Sequence, residues 1–329
     1  MTDIPNTLGV PATADQVVEV ADIDQLRGVL RSAPDALVLG GGSNVVLGRH
    51  LQQTVVLMCN RGISVAADGE MVEVTAAAGE GWHRLVRHCL DCGYFGLENL
   101  ALIPGSVGAA PLQNIGAYGV ELAQRLVRLR ALRVSDGSVR AFDASECGFG
   151  YRDSWFKSAG AGQYVILDVT LRLSTQPQLV LDYPDILTEL SRMGVKRTRP
   201  QDVARAVIRV RRRKLPDPAK VGNVGSFFKN PVVSRDVAQH VQSLGEGLSA
   251  HAAEPAGMVK LSAAQLIDQA AGKLETHGGA AVWPRQPLVL INQGKATGSD
   301  FVALAEKIQA KVMARFGVPL VLEPRTYGL

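Results

Sequence analysis

The chain has 329 residues, 47% of them hydrophobic and 20% charged, with a formal net charge of +4. That length is too great for one core and calls for two or three domains, and the small charge dictates no polyanionic partner, suiting a small acidic ligand as well. Residues 1–15, MTDIPNTLGVPATAD, hold no basic stretch ahead of an apolar one, and no apolar run nears the roughly 18 residues that cross a bilayer, so a cytoplasmic protein without membrane insertion is expected.

Short strands punctuated by glycine fill the first third. ALVLGGGSNVVL (36–47) reads as a strand, a glycine-rich turn and a second strand. Gly40, Gly41 and Gly42, followed by Ser43 and Asn44, permit positive φ and let backbone N–H groups approach an anion, although a hairpin turn is the commoner use of such a run. A strand rather than a helix follows, and no G-x-G-x-x-G is present, which excludes the dinucleotide fingerprint. TVVLMCN (54–60) and MVEVTAAAG (71–79) supply further strands. One helix, 80–93, interrupts them, with Leu85, Val86, Cys89 and Leu90 on one face. Cys89 and Cys92 form a C-x-x-C with His83 and His88 nearby. No second ligand pair stands at zinc-finger spacing and no strand leads in, so small buried side chains are expected rather than a metal or redox site. With Cys59 and Cys147 the chain has four cysteines, too few for a disulfide framework.

IPGSVGAAPLQNIGAYGVEL (103–122) carries little side-chain bulk, and a loop of that length is usually functional. Its small apolar residues suit a flat ring system and a pyrophosphate lying on exposed backbone, with Asn114 and Tyr118 as the polar exceptions. VRLRALRVSDGSVRAF (127–142) contains an Asp-Gly hairpin signal, and QYVILDVTLRLS (163–174) is another strand. Between them, GYRDSWFK sets Arg152 beside an aromatic and an acid, where a surface ion pair is the commoner fate. With so little strand–helix alternation, the fold class expected is α+β.

Residues 175–200 read as a loop-rich junction. A helix follows, with Val203, Ala206, Val207 and Val210 on one face and Pro216 and Pro218 beyond its end. Its tail, RVRRRK (209–214), is five-sixths basic. It could be a solvated helix end favoured by the macrodipole, a diphosphate site or a nucleic-acid site, and the lack of stacking aromatics argues against the last. NVGSFFKNP (223–231) reads as a tight loop that pins Ser226. Helices at 234–244, 262–272 and 299–316, with a strand at 287–292, make the second half a separate α/β unit.

The segments GGGSN, ENLALIPGSVGAAPLQNIGAYGVEL, GYRDSWFK, KLPDP, GSFFKNP and GGAAVWPRQPLVLIN, in that order, resemble the UDP-N-acetylenolpyruvylglucosamine reductase family from about residue 6 to the C-terminus. The resemblance implies a PCMH-type FAD-binding fold of two subdomains, 1–69 and 70–200, a substrate-binding α/β domain at 201–316, and a segment 317–329 that returns Glu323 to the active site. It implies noncovalent FAD with NADPH as co-substrate. It also implies reduction of the UDP-N-acetylglucosamine enolpyruvate, a UDP-sugar, to UDP-N-acetylmuramate for peptidoglycan synthesis, by a monomer that binds no nucleic acid.

Carried over motif by motif, the resemblance makes Arg152, Ser226 and Glu323 catalytic, and it gives Tyr118, Tyr183, Arg211, Lys214, Asn230 and Gln286 to the substrate. The expected flavin set is Gly40 to Asn44, Ile103, Pro104, Gly105, Ser106, Gly108, Ala109, Leu112, Asn114, Gly116, Ala117 and Ile166. Where the family has Gly-Trp ahead of LID, this chain has Ala264 and Gln265, and after Glu323 only PRTYGL stands where the family continues with a strand.

The chemistry explains the residue types. Hydride addition to a vinyl carbon leaves an enolate-like dianion, which a planar guanidinium at Arg152 can meet. Glu323 beside a carboxylate is tolerable if protonated or if it orients a water or Arg152. The basic intermediate takes a proton on carbon, for which a hydroxyl such as that of Ser226 is acidic enough without a histidine. The alternatives are a flavin oxidoreductase of the same fold acting on another small molecule, or a flavin-binding protein without turnover.

Overall fold

The computed structural model describes residues 1–329, apart from the side chain of Asp68. The chain forms two compact units, each discontinuous in sequence: residues 1–2, 14–42 and 52–213, and residues 3–13, 43–51 and 214–329.

In the first unit a parallel three-stranded sheet has Val55–Met58 between Val17–Val20 and Leu37–Leu39. Helix α1 (Ile23–Ser32) buries Leu26 and Leu30 against Val20 and Val56. It was not expected from the sequence, because Gly28 and the four charged or amide residues Asp24, Gln25, Arg27 and Arg31 dilute its apolar stripe. Its start signal was nevertheless present: the Asp22 carboxylate accepts from the N–H groups of Asp24 (3.0 Å) and Gln25 (2.9 Å).

A five-stranded antiparallel sheet runs in the order Val139–Asp143, Leu126–Arg133, Tyr164–Ser174, Met71–Ala77, Ile63–Asp68. Its central strand, Tyr164–Ser174, is almost wholly buried. Helix α2 (Trp82–Asp91) packs Leu85, Val86 and Cys89 into the same core. Burial pushes the Cys89 thiol up to about 12, while Cys92 is exposed, so this pair is a core side chain and a surface one. Residues 175–200, expected as loop, contain helix α3 (Pro184–Arg192). Pro184 opens it, and Ile186 and Leu190, four apart, bury one face. The polar composition hid it because its one buried acid, Glu189, is used internally, accepting from Arg213 at 2.8 Å. Arg213 lies on helix α4 (Pro200–Lys214), whose Val203, Ala206, Val207 and Val210 are core residues.

In the second unit an antiparallel sheet runs Asn223–Ser226, Val289–Asn292, Ala280–Val282, Thr276–His277. The stretch read as a loop around Ser226 is therefore the end of a strand. Between the pairs Asn223↔Ile291 and Ser226↔Val289 the register shifts by one residue, and Gly225 at φ +72° takes up the extra residue. Helices α5 (Arg235–Ser243), α6 (Ala263–Ala270) and α7 (Gly298–Phe316) fall where the sequence placed them. The short C-terminus does carry a strand, Arg325–Tyr327, parallel to Val45–Leu47.

Removing the α1 cap with Asp22→Ala is expected to cost about 1 kcal/mol, with Asp22→Asn costing little. Urea unfolding followed by circular dichroism checks this through the shift in midpoint.

Candidate functional site

The two glycine-rich segments meet in the first unit. A Cβ on Gly40 would collide with the Ser106 hydroxyl, and one on Gly41 would stand 3.2 Å from the Gly105 Cα. A Cβ on Gly108 would lie 2.5 Å from that of Ala78. The Gly41 backbone thus faces that of Gly105, Gly40 and Gly108 lie against the small side chains of Ser106 and Ala78, and the N–H groups of Gly41 and Gly42 donate to no other described residue. Such a cradle, with free donors and only small side chains beside them, fits a pyrophosphate, so the residues present suit FAD.

Residues 100–108 are held in place by residues 78–83. The Trp82 N–H donates to the Gly105 carbonyl and its indole N–H to that of Leu100, both at 3.0 Å. The Val107 N–H donates to Glu80 (2.8 Å) and the Gly108 N–H to Ala78 (2.9 Å). His83 Nδ1 accepts from the Leu102 N–H at 3.0 Å. None of these anchoring roles was legible in the sequence; a histidine directly after tryptophan at a helix start was the available signal. Ile103, Leu112 and Ala117 are half-buried against the core, whereas Ile166 is 5% exposed and presents almost no surface.

The Asn114 side chain is fully committed to the loop. Its Nδ2 donates to Glu121 (2.8 Å) and to the Gly150 carbonyl (3.1 Å), and its Oδ1 accepts from Ala123 (2.9 Å). Any part it has in ligand binding runs through its backbone. Beyond it, Gly116–Ala117 pairs with Val120–Glu121 across a two-residue turn in which Tyr118 (φ +50°) and Gly119 (φ +86°) are both left-handed. For a tyrosine that conformation costs about 1–3 kcal/mol, as such strain at functional sites does.

Tyr118 belongs to a cluster. Its ring meets that of Tyr183 edge-on at 5.2 Å, and Asn99, buried, ties the two loops by donating to the carbonyls of Tyr118 (2.7 Å) and Val180 (3.0 Å). Burial pushes the Tyr118 phenol up to about 12, which keeps it a neutral donor. Arg152, also left-handed at φ +54°, donates to the Gly116 carbonyl at 2.6 Å. A Cβ on Gly116 would lie 3.0 Å from the Arg152 Nη1, so glycine is needed there. Arg211 senses both Tyr118 and Arg152: burial, opposed by Tyr118 and aided by the Arg152 cation, pulls its pKa below the usual guanidinium value. Its Nε is the one buried side-chain nitrogen or oxygen among the described residues without a hydrogen-bond partner. Arg209 and Arg213 from the same basic run are instead turned to Glu189, at 3.8 and 2.8 Å.

In the second unit the C-terminal segment pairs with the strand end at Ser226. The Glu323 N–H donates to the Phe227 carbonyl (3.0 Å) and the Lys229 N–H to that of Val321 (2.9 Å). Ser226 and Glu323 are thereby brought together, while the Ser226 hydroxyl makes no hydrogen bond to any described residue. Asn44 joins them: its Nδ2 donates to the Glu323 carbonyl (3.4 Å), and its own carbonyl accepts from Arg325 (3.2 Å). Asn230 Oδ1 accepts from the Ala263 N–H at the start of α6 (3.0 Å), and the Lys214 carbonyl accepts from the Trp283 indole (3.0 Å). Gln286 sits in the turn that leads to Val289–Asn292, its N–H bonded to the Trp283 carbonyl at 3.1 Å.

Comparison with known proteins agrees with this geometry. Residues 14–143 match the model of an FAD binding domain, and residues 217–327 match that of the UDP-N-acetylenolpyruvoylglucosamine reductase C-terminal domain. The chain is 45% identical over 327 residues to the UDP-N-acetylenolpyruvoylglucosamine reductase of Pseudomonas putida, covering 98% of this chain and 96% of that protein. It is 46% identical over 334 residues to the protein of the same name from Azoarcus sp., covering 97% and 94%. The crystal structure of the Thermus caldophilus reductase superposes with a TM-score of 0.68 at 24% identity, over 98% of this chain and 95% of that one, which shows the same fold.

Gly41→Ala tests the cradle. The added methyl, 3.2 Å from Gly105 Cα, must push the facing backbone aside. FAD affinity, followed by quenching of flavin fluorescence, is expected to fall roughly tenfold, the loss of about one backbone hydrogen bond.

Proposed function

The chain belongs to the UDP-N-acetylenolpyruvoylglucosamine reductase family, and from that membership we propose how its own residues divide the work. The enzyme reduces UDP-N-acetylglucosamine enolpyruvate to UDP-N-acetylmuramate, a UDP-sugar precursor of peptidoglycan. FAD, recharged by NADPH, supplies the hydride when bound.

Gly40 to Gly42, with Gly105 and Ser106, hold the cofactor pyrophosphate through backbone donors, while Val107 to Ala109 have theirs engaged within the protein. Arg152 meets the negative charge that grows on the substrate carboxylate once the vinyl carbon is reduced, its fork pre-set by the bond to Gly116. Arg211 adds a second cation whose unpartnered Nε suits an anionic oxygen, and the neutral Tyr118 phenol adds a donor. Lys214, Asn230, Gln286 and Tyr183 complete the binding set. Ser226 gives its proton to the substrate carbon, and Glu323, held next to it, orients the group or water that restores that proton. The observation that supports this assignment is the pairing of residues 227–229 with 321–323, which sets Glu323 opposite Phe227, the residue after Ser226, while the serine hydroxyl makes no hydrogen bond to any described residue.

We take the protein to be a cytoplasmic monomer that does not bind nucleic acid. Among the described residues no helix is long and apolar enough to cross a membrane. The basic run also favours a small ligand, since Arg209 and Arg213 are occupied by Glu189 and Arg211 is turned inward.

Ser226→Ala separates the roles. Flavin reduction by NADPH should proceed near the normal rate, and reoxidation by the enolpyruvyl substrate should slow by roughly 10²–10⁴, the range for a positioned general acid. Ser226→Cys should recover part of that loss. Normal substrate-driven reoxidation in folded Ser226→Ala protein, seen by anaerobic stopped flow, would remove Ser226 from catalysis.

Arg211→Ala and Lys214→Ala are each expected to weaken substrate binding by about 1.5–3 kcal/mol without slowing flavin reduction. Titration calorimetry with the substrate checks the first half of that statement; an unchanged Kd would return both residues to structural duty.

A further inference from the structure

We propose that His83 is a positioning residue for the flavin-binding loop, its Nδ1 holding the Leu102 N–H so that Leu102 stays left-handed and Ile103 to Ser106 stand where the cofactor needs them. The inference rests on the flavin-cradle reading of Gly40 to Gly42 with Gly105 and Ser106.

Three observations carry it. Leu102 is a branched residue at φ +60°, where only glycine sits without strain, and it comes directly before Ile103-Pro104-Gly105-Ser106. Its backbone N–H donates to a side chain rather than to the main chain, at 3.0 Å. The acceptor stands on the first turn of α2, next to Trp82, whose two N–H groups already clamp Leu100 and Gly105 on either side of Leu102. Residues 100–105 are thus fixed at three points by two adjacent residues, through the Trp82 backbone and indole N–H groups and the His83 ring, and the His83 bond is the middle one.

The bond works only with neutral imidazole. An acceptor at Nδ1 requires the proton on Nε2, and a second proton would set an N–H against the Leu102 N–H. The surroundings favour the neutral ring. Burial first, then the cations Arg87 on α2 and Arg211 and Arg212 on α4, hold the His83 pKa below its ordinary 6.5. The bond is therefore intact above pH 6.5 and is lost as pH falls below that value through the lowered pKa.

The experiment measures FAD dissociation constants of apoprotein by flavin fluorescence across about pH 8 to 5, with melting temperatures of the apo forms alongside. His83→Leu should weaken FAD about tenfold at high pH, one backbone hydrogen bond's worth. His83→Asn, whose Oδ1 can replace Nδ1 as acceptor and does not titrate, should bind FAD as wild type does at high pH and keep that affinity at low pH, where wild type weakens. Leu102→Gly in the His83→Leu background should regain part of the loss, because glycine holds the left-handed conformation unaided. Wild-type FAD affinity in folded His83→Leu protein, or an Asn variant that weakens with falling pH as steeply as wild type, would overturn the proposal. Wild-type protein that takes up no FAD would overturn the flavin reading itself.

Discussion

The first unit depends on two stretches of backbone approaching closer than side chains allow. Gly41 faces the Gly105 backbone, where an added Cβ would stand 3.2 Å from the Cα, and Gly40 faces Ser106, whose hydroxyl a Cβ would strike. A ligand that binds through phosphate oxygens needs donors at short range, and only bare peptide planes provide several at once. The rest of that region serves the approach. The 78–83 segment supplies five hydrogen bonds to residues 100–108, among them those of Glu80, Trp82 and His83. A loop so poor in apolar bulk cannot hold itself by burial, so its order has to come from neighbours that are themselves buried, and Trp82 and Glu80 are 1% and 7% exposed.

The second unit solves a different problem with the same economy of parts. In the proposed role, Ser226 must be fixed in place while its hydroxyl stays uncommitted, and an ordinary loop serine tends to bond its own backbone. Here Ser226 ends a strand whose register is broken by Gly225, and the next three residues are pinned by the C-terminal segment. The backbone carries the positioning, so the side chain does not have to. Asn44 closes the arrangement on the far side of Glu323, which makes the residue that ends the GGGSN turn part of the support for the acid.

Much of this was legible in the sequence because glycine and proline mark backbone requirements that no tertiary context overrides. The strand, glycine turn and strand of 36–47 and the end of α4 ahead of Pro216 read correctly for that reason, although the two strands pair with other partners and form no hairpin. The failures share a cause as well. Helices α1 and α3 were lost because each carries a diluted apolar stripe, and the one glutamate of α3, Glu189, looks like a surface residue until its arginine partners on α4 are known. The strand at Ser226 was lost because a bulge glycine inside a strand looks like a turn when its partner strand, some sixty residues away, is unknown. His83, Trp82 and Asn99 act through one or two hydrogen bonds each to distant main-chain atoms, which no local pattern announces.

One departure from the family pattern shows how such a contact absorbs change. Gln265 stands where a tryptophan is usual, early in α6, and it could have been expected to leave a gap. Its Oε1 instead accepts from the Ser249 N–H at 2.8 Å and its Nε2 donates to the Gly247 carbonyl at 3.0 Å. An aromatic would hold the 245–249 turn by area; the amide holds it by two directed bonds, at a position open enough that neither group is isolated from water. Just ahead of it, Asn230 accepts from Ala263 at the mouth of the same helix, only four residues from Ser226. The helix start is therefore tied at one end to the turn and at the other to the segment that bears the serine. A substitution on the helix can then be accommodated on the turn side, with the serine side left to its own bonds.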